Sequence, residues 1–143
     1  MPAFPRDELE EMFRGFKVAA GEAPLGEQIA ISGEPIACKV SSQDTNGAMC
    51  VFEITGTTGN SCGPRHAHHD QDEWIYVIDG EFDVEIGEQL MRARTGETVF
   101  LPRKVAHAWA AVDRPGRILN TYQPAGKHRG ARWPRVIPHE ILW

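Results

Sequence analysis

An all-β sandwich or barrel is what this sequence predicts, and three observations predict it. From residue 27 onward, short runs of strand-forming residues follow one another, separated at close, regular intervals by Gly, Pro, Asn and Asp. Asn46-Gly47 in "DTNGA" lies between two apolar runs, a hairpin signal because both residues tolerate positive φ. In "VIDGEFDV", Phe82, Val84 and Ile86 alternate with Asp83 and Glu85, the period of a half-buried strand beside a tight connection.

Taken in order, the amino-terminal segment departs from this texture. "PRDELEEMFRGF" begins with a proline suited to a first helical turn and carries acidic residues near the positive end of the dipole. Leu9, Met12, Phe13 and Phe16 share one helical face, so a short docking helix is expected within residues 1–16. Strands are then expected at "EQIAIS", "PIACKVSS", "AMCVFEITG", "EWIYVI", "EFDVEIG", "ETVFL", "AHAWAAV" and "RILNTYQ". These place a barrel at residues 17–125, followed by an extension over 126–143. In that extension "KHRGARWPR" gathers basic charge around Trp133 and reads as a solvated tail or a subunit-contact segment.

The bulk properties bound the function. A chain of 143 residues suits one domain, with 41% hydrophobic and 24% charged residues. Its net charge of -5 is the wrong sign for a phosphate-backbone binder, so no nucleic acid partner is expected. No apolar run approaches membrane-spanning length and the start does not read as a secretion signal, so no membrane partner is expected either. Cys38, Cys50 and Cys62 form no Cys-x-x-Cys pair and suggest no disulfide framework, which suits a reducing, cytoplasmic compartment. Nucleophilic hydrolysis finds no support, because no Gly-x-Ser-x-Gly elbow is present.

The chemistry-bearing stretch is "RHAHHDQDEWIYVIDGE". His66 and His68 leave the same face of a strand with α-carbons roughly 7 Å apart, a gap that two imidazoles can close around one ion. His69 points the other way and reads as an exposed or hydrogen-bonded histidine. Strict alternation keeps Asp70 and Asp72 in phase with His68 and puts Glu73 on the opposite face. A turn or bulge in "HDQD" would reset the register and align Glu73 with Ile75 and Val77. The pattern therefore leaves both Glu73 and Asp72 open as the carboxylate ligand.

At this point the residues resemble the two motifs of the cupin superfamily, in its small single-domain form. The first, His-x-His, three or four residues, Glu, six residues, Gly, is matched by His66, His68, Glu73 and Gly80. The second is matched by Gly96, Pro102 and His107 in "GETVFLPRKVAH". Three departures stand out: the glycine expected five residues before His66 is absent, Lys104 replaces a usual glycine, and Ala111 stands where asparagine is frequent. The resemblance implies a double-stranded β-helix whose interior holds a metal on His66, His68, Glu73 and His107.

Three imidazoles and one carboxylate suit a divalent transition metal, Fe, Mn, Ni, Co, Cu or Zn. Alternation from His107 makes Trp109 either a wall of the substrate pocket or an ordinary barrel-core tryptophan, and alternation from Glu73 adds Ile75 and Val77 to the pocket. Trp74 and Tyr76 fall on the other face. Similarity to cupin dioxygenases implies a metal-dependent oxidoreductase for a small enolic or aromatic substrate, with Glu73 as both ligand and proton acceptor. The alternatives are a metal-assisted isomerase, epimerase or lyase on a sugar or keto acid, and a non-catalytic binding module. The resemblance also implies a homodimer.

Overall fold

The computed structural model describes residues 14–24, 28–29, 35–56, 65–125 and 141–142. Eleven strands lie among them: β1 (Gln28–Ile29), β2 (Pro35–Val40), β3 (Cys50–Gly56), β4 (Ala67–His68), β5 (Asp72–Asp79), β6 (Glu81–Ile86), β7 (Gln89–Arg94), β8 (Thr98–Leu101), β9 (His107–Ala111), β10 (Gly116–Gln123) and β11 (Ile141–Leu142). No described residue is helical, including Arg14, Gly15 and Phe16 at the end of the expected amino-terminal helix. The rest of that helix, Cys62 and the basic run around Trp133 lie outside the described residues.

Every strand pairing is antiparallel. One sheet has the order β1-β2-β3-β10-β5-β8, and a second has β7-β6-β9. A bridge between His66 and His107 adds the β4 segment beside β9, and β11 pairs with β4. The inward phases of the two sheets form one apolar core, which includes Phe52, Ile54, Ile75, Val77, Phe82, Val84, Leu101, Trp109 and Ile118. This is the all-β barrel expected from the alternation, and the predicted strand runs all contain observed strands.

One full-length strand was not expected. β7, "QLMRAR", is an outer strand with little apolar alternation, and only Ala93 of its six residues is buried. Its place is set instead by charge across the ladder to β6, where Asp83 faces Arg92 and Glu81 faces Arg94. Arg92 Nε donates to Asp83 Oδ1 at 2.8 Å, and Arg94 Nε lies 3.7 Å from Glu81 Oε1. Opposite charges at directly paired positions hold an edge that hydrophobic periodicity cannot reveal.

The two expected turns are both present. Asn46 and Gly47 take φ of 52° and 83°, inside a connection over residues 41–49 that is longer than a two-residue hairpin. Gly47 N donates to Ser42 O at 2.8 Å, and Thr45 Oγ1 donates to Met49 O at 2.6 Å, so the loop satisfies its own backbone. Gly80 is the sole residue between β5 and β6 and turns the chain from one sheet to the other at φ 92°. A Cβ there would stand 3.0 Å from Gly116 Cα.

Phe82, fully buried, packs directly against the glycine backbones of β3 and β10. A Cβ on Gly56 would lie 2.7 Å from its ring, and one on Gly116 would lie 2.8 Å from both the ring and Asp79 O. Because the second obstacle is backbone, it cannot swing aside. Gly116→Ala is therefore expected to destabilise the fold by about 1–3 kcal/mol, read as a lowered urea midpoint; an unchanged midpoint would show that the corner has slack.

Cys38 lies on the inner face of β2, and its thiol is pushed up to about 11 by burial first and by the charge of Asp44 second. The thiol is thus the neutral, unreactive form at neutral pH. At pH 8 iodoacetamide should modify Cys38 far more slowly in the folded chain than in urea, with the native rate climbing steadily as pH is raised toward 11. Equal rates in the two states, resolved by peptide mass spectrometry, would contradict the enclosure.

Candidate metal centre

His66 and His107 are a directly opposed backbone pair: His66 N donates to His107 O at 3.1 Å and His107 N to His66 O at 2.8 Å. The exchange of both bonds places their side chains next to each other on one face. His68, two residues on, returns to that face, and both it and His66 are buried while Ala67 between them is half-buried. Lys104 N donates to His68 O at 2.6 Å, from a residue at φ 68°. Lys104 thus adopts the left-handed backbone for which glycine is the default residue.

The chain then breaks regular pairing. His69 and Asp70 are exposed, as expected for His69, and Gln71 turns inward, its Nε2 donating to Pro124 O at 2.9 Å. When β5 begins, the phase has been reset. Glu73, Ile75 and Val77 all face the core with 0% exposure. Asp72 faces outward, where its carboxylate receives Arg103 Nε at 3.1 Å and Nη2 at 2.9 Å. Of the two carboxylates left open, Glu73 is thus the one grouped with the histidines, and Asp72 gives Arg103 a partner away from them.

Glu73, His66, His68 and His107 each offer one ligand atom, and these atoms all lie within 4.8 Å of one another. Glu73 Oε2 is 3.1 Å from His68 Nε2 and 3.0 Å from His107 Nε2. Although the contacts are short, none of the three atoms has a partner in hydrogen-bond geometry among the described residues, and all are sealed from solvent. Buried polar atoms without hydrogen bonds are costly, and here they crowd one small region. A shared cation satisfies all of them at once, so the residues fit a metal.

The surroundings prepare the ligands. His107 Nδ1 stands 3.3 Å from Val105 O, a contact that is a hydrogen bond only when Nδ1 carries the proton, which leaves the Nε2 lone pair available. The Trp109 ring lies 5.9 Å from the His107 ring at an interplanar angle of 7°, bracing it. His68 meets Tyr122 edge-on at 5.4 Å. Burial alone would push the Glu73 carboxyl up, but His107 and His68 outweigh it and hold the group well below the usual carboxylate range. Its second oxygen, Oε1, accepts from Asn120 Nδ2 at 2.5 Å.

The sequence profile of the cupin domain matches residues 56–122, a span that contains all four ligand candidates. This chain contains a small cupin domain. The cupin is similar in structure to a predicted oxalate decarboxylase from Thermotoga maritima, with a TM-score of 0.67 and 17% identity, covering 76% of this chain and 99% of that one. It is also similar to an RmlC-like cupin from Shewanella frigidimarina, at TM-score 0.60 and 22% identity over 76% of this chain and 93% of the other. KdgF from Halomonas sp. aligns at TM-score 0.62 and 19% identity, over 73% and 88%. At these identities the likeness shows the fold alone.

Of the remaining residues expected near the site, Trp109, Ile75 and Val77 line the buried core in phase with the ligands. Trp109 Nε1 is enclosed without a hydrogen-bond partner among the described residues. Trp74 and Tyr76 belong to the opposite phase of β5, with Tyr76 exposed and Trp74 paired across the ladder with Phe100. An open cleft lined by Gly80, Glu81, Arg94, Thr95, Asp113 and Arg114 lies at the β5–β6 corner and contains none of the four ligand candidates.

Two residues went unnoticed in the sequence, Asn120 and Gln71. A signal for Asn120 existed: it is a polar residue in phase with Ile118 and Tyr122, at alternate positions that otherwise carry no amide or charge. Gln71 carried none, because a polar residue in a polar turn looks ordinary.

The outward placement of Asp72 makes a direct contrast testable. Glu73→Gln should lower bound metal severalfold or more after equal reconstitution, whereas Asp72→Asn should match the parent protein in inductively coupled plasma mass spectrometry. Loss of metal in Asp72→Asn with retention in Glu73→Gln would reverse the assignment.

Proposed function

We propose that this cupin binds one divalent transition metal through His66, His68, Glu73 and His107 and acts as a metal-dependent oxidoreductase of the dioxygenase type on a small enolic or aromatic compound. The observation that carries the reading is the convergence of four buried ligand groups, three of whose donor atoms find no hydrogen-bond partner among the described residues. Three imidazoles and a carboxylate are a donor set for Fe, Mn, Ni, Co, Cu or Zn, and they leave positions open in five- or six-coordinate geometry. When bound, such an ion supplies Lewis acidity and, where redox-active, electron exchange with a coordinated substrate.

The chain's own residues then have distinct tasks. Ile75 and Val77 keep the approach to the ligands apolar and exclude water, which strengthens electrostatic contacts within the barrel. Trp109 offers a flat wall beside His107, and its unpartnered indole N–H is a donor for an oxygen of the substrate. Glu73 Oε2 is the ionised oxygen nearest the imidazoles, and in this reading it also accepts a proton from the enol or phenol.

A second reading, a metal-assisted lyase or isomerase that consumes no oxygen, is supported by the likeness to the predicted oxalate decarboxylase. Protein purified without chelator or added metal should carry about one transition-metal ion per chain, and a His66→Ala, His107→Ala double variant should carry none. With the native metal in place, an oxygen electrode should record uptake on adding a flavonol or related enol. Turnover of a keto acid or sugar without oxygen uptake would favour the second reading. No metal in the parent protein, even after reconstitution, would sink both.

A further inference from the structure

We infer that Asn120 is a positioning residue which limits Glu73 to a single ligand oxygen. The inference rests on the metal-binding reading above, and it concerns how the site is tuned rather than whether it exists.

The geometry begins with strand register. Glu73 on β5 is directly opposite Tyr122 on β10, so Asn120 is its diagonal neighbour two residues along the same face. Diagonal neighbours stand roughly 7–8 Å apart at the backbone, within reach of a Glu and an Asn side chain extended toward each other. Asn120 is itself flanked by Phe52 on β3 and Ile75 on β5, both fully or almost fully buried, and has 0% exposure. It is held from both sides and has little room to move.

The chemistry follows from which oxygen it takes. Asn120 Nδ2 donates to Glu73 Oε1, while Oε2 is the oxygen that faces His68 and His107. Asn120 Oδ1 has no hydrogen-bond partner among the described residues, so the amide's side-chain bonding goes to Glu73. For Glu73 to offer both oxygens to an ion it would have to break this bond between two side chains that are both 0% exposed. A carboxylate limited to one oxygen makes four donor atoms with the three imidazoles. In a six-coordinate ion that leaves two positions open, where a two-oxygen Glu73 would leave one. Asn120 thereby controls how many sites remain for substrate.

Cobalt(II) is the probe, because its visible absorption reports coordination number and its binding can be measured by competition with a chromophoric chelator. Asn120→Leu removes the donor at similar volume, and Asn120→Ser serves as a second variant should the first fail to fold; circular dichroism of the metal-free proteins checks this. Thr121→Val is the control, a buried neighbour on β10 whose hydroxyl is not bonded to the site. Both Asn120 variants should bind cobalt about ten- to hundredfold more weakly and show altered visible bands, while Thr121→Val should match the parent in both respects. Parent-like spectra and affinity in the Asn120 variants, or an equal change in Thr121→Val, would overturn the inference alone. A parent protein that takes up no cobalt would remove the metal-binding reading and this inference with it.

Discussion

Because Glu73 is sealed from water, its charge has to be met from inside the barrel, and the surrounding residues are arranged to meet it. An isolated carboxylate in such a place would cost several kcal/mol and would simply take up a proton. Here one oxygen accepts from Asn120 and the other lies near two imidazoles, which together outweigh the burial. The apolar residues around it, Ile75, Val77, Leu101 and Ile118, supply much of the core's cohesion and are also what makes this pairing obligatory. Stability and the candidate metal centre thus share the same side chains.

The second requirement is register, and it is met by backbone rather than side chains. The two hydrogen bonds between His66 and His107 put residues from distant parts of the chain side by side, and alternation alone then brings His68 to the same face. A one-residue slip would turn the histidines toward solvent. The break at residues 69–71, braced by Gln71 on Pro124, performs the opposite service for β5: it introduces a phase change that brings Glu73 inward and sends Asp72 out to Arg103.

Much of this could be read in the sequence, for identifiable reasons. Strands with one buried face announced themselves through alternation, as in Phe82 and Val84, and Gly80 and Asn46-Gly47 announced turns through the backbone angles they permit. β7 did not, since its partner contacts are ionic pairs between residues that look like ordinary surface charge. The histidine pair was legible from spacing alone. His107 was legible only through resemblance to a family pattern, because no local period connects it with His66. The choice between Asp72 and Glu73 depended on a three-residue interruption whose geometry is set by a contact with Pro124, far along the chain. Asn120 belongs to the same class: its meaning comes from a diagonal across two strands.

The distribution of the ligands between the sheets carries one more consequence. Glu73 projects from the six-stranded sheet, whereas His107 and the bridged His66 belong to the other. An ion coordinated by both groups is a cross-link between the two halves of the barrel, comparable in topology to an inter-sheet disulfide but reversible and set by free metal concentration. By mass action, occupancy at a hundred times the dissociation constant would add about 2.7 kcal/mol to the stability of the closed form. With such an ion bound, the resistance of this barrel to opening would be a property of the chain and its metal supply together.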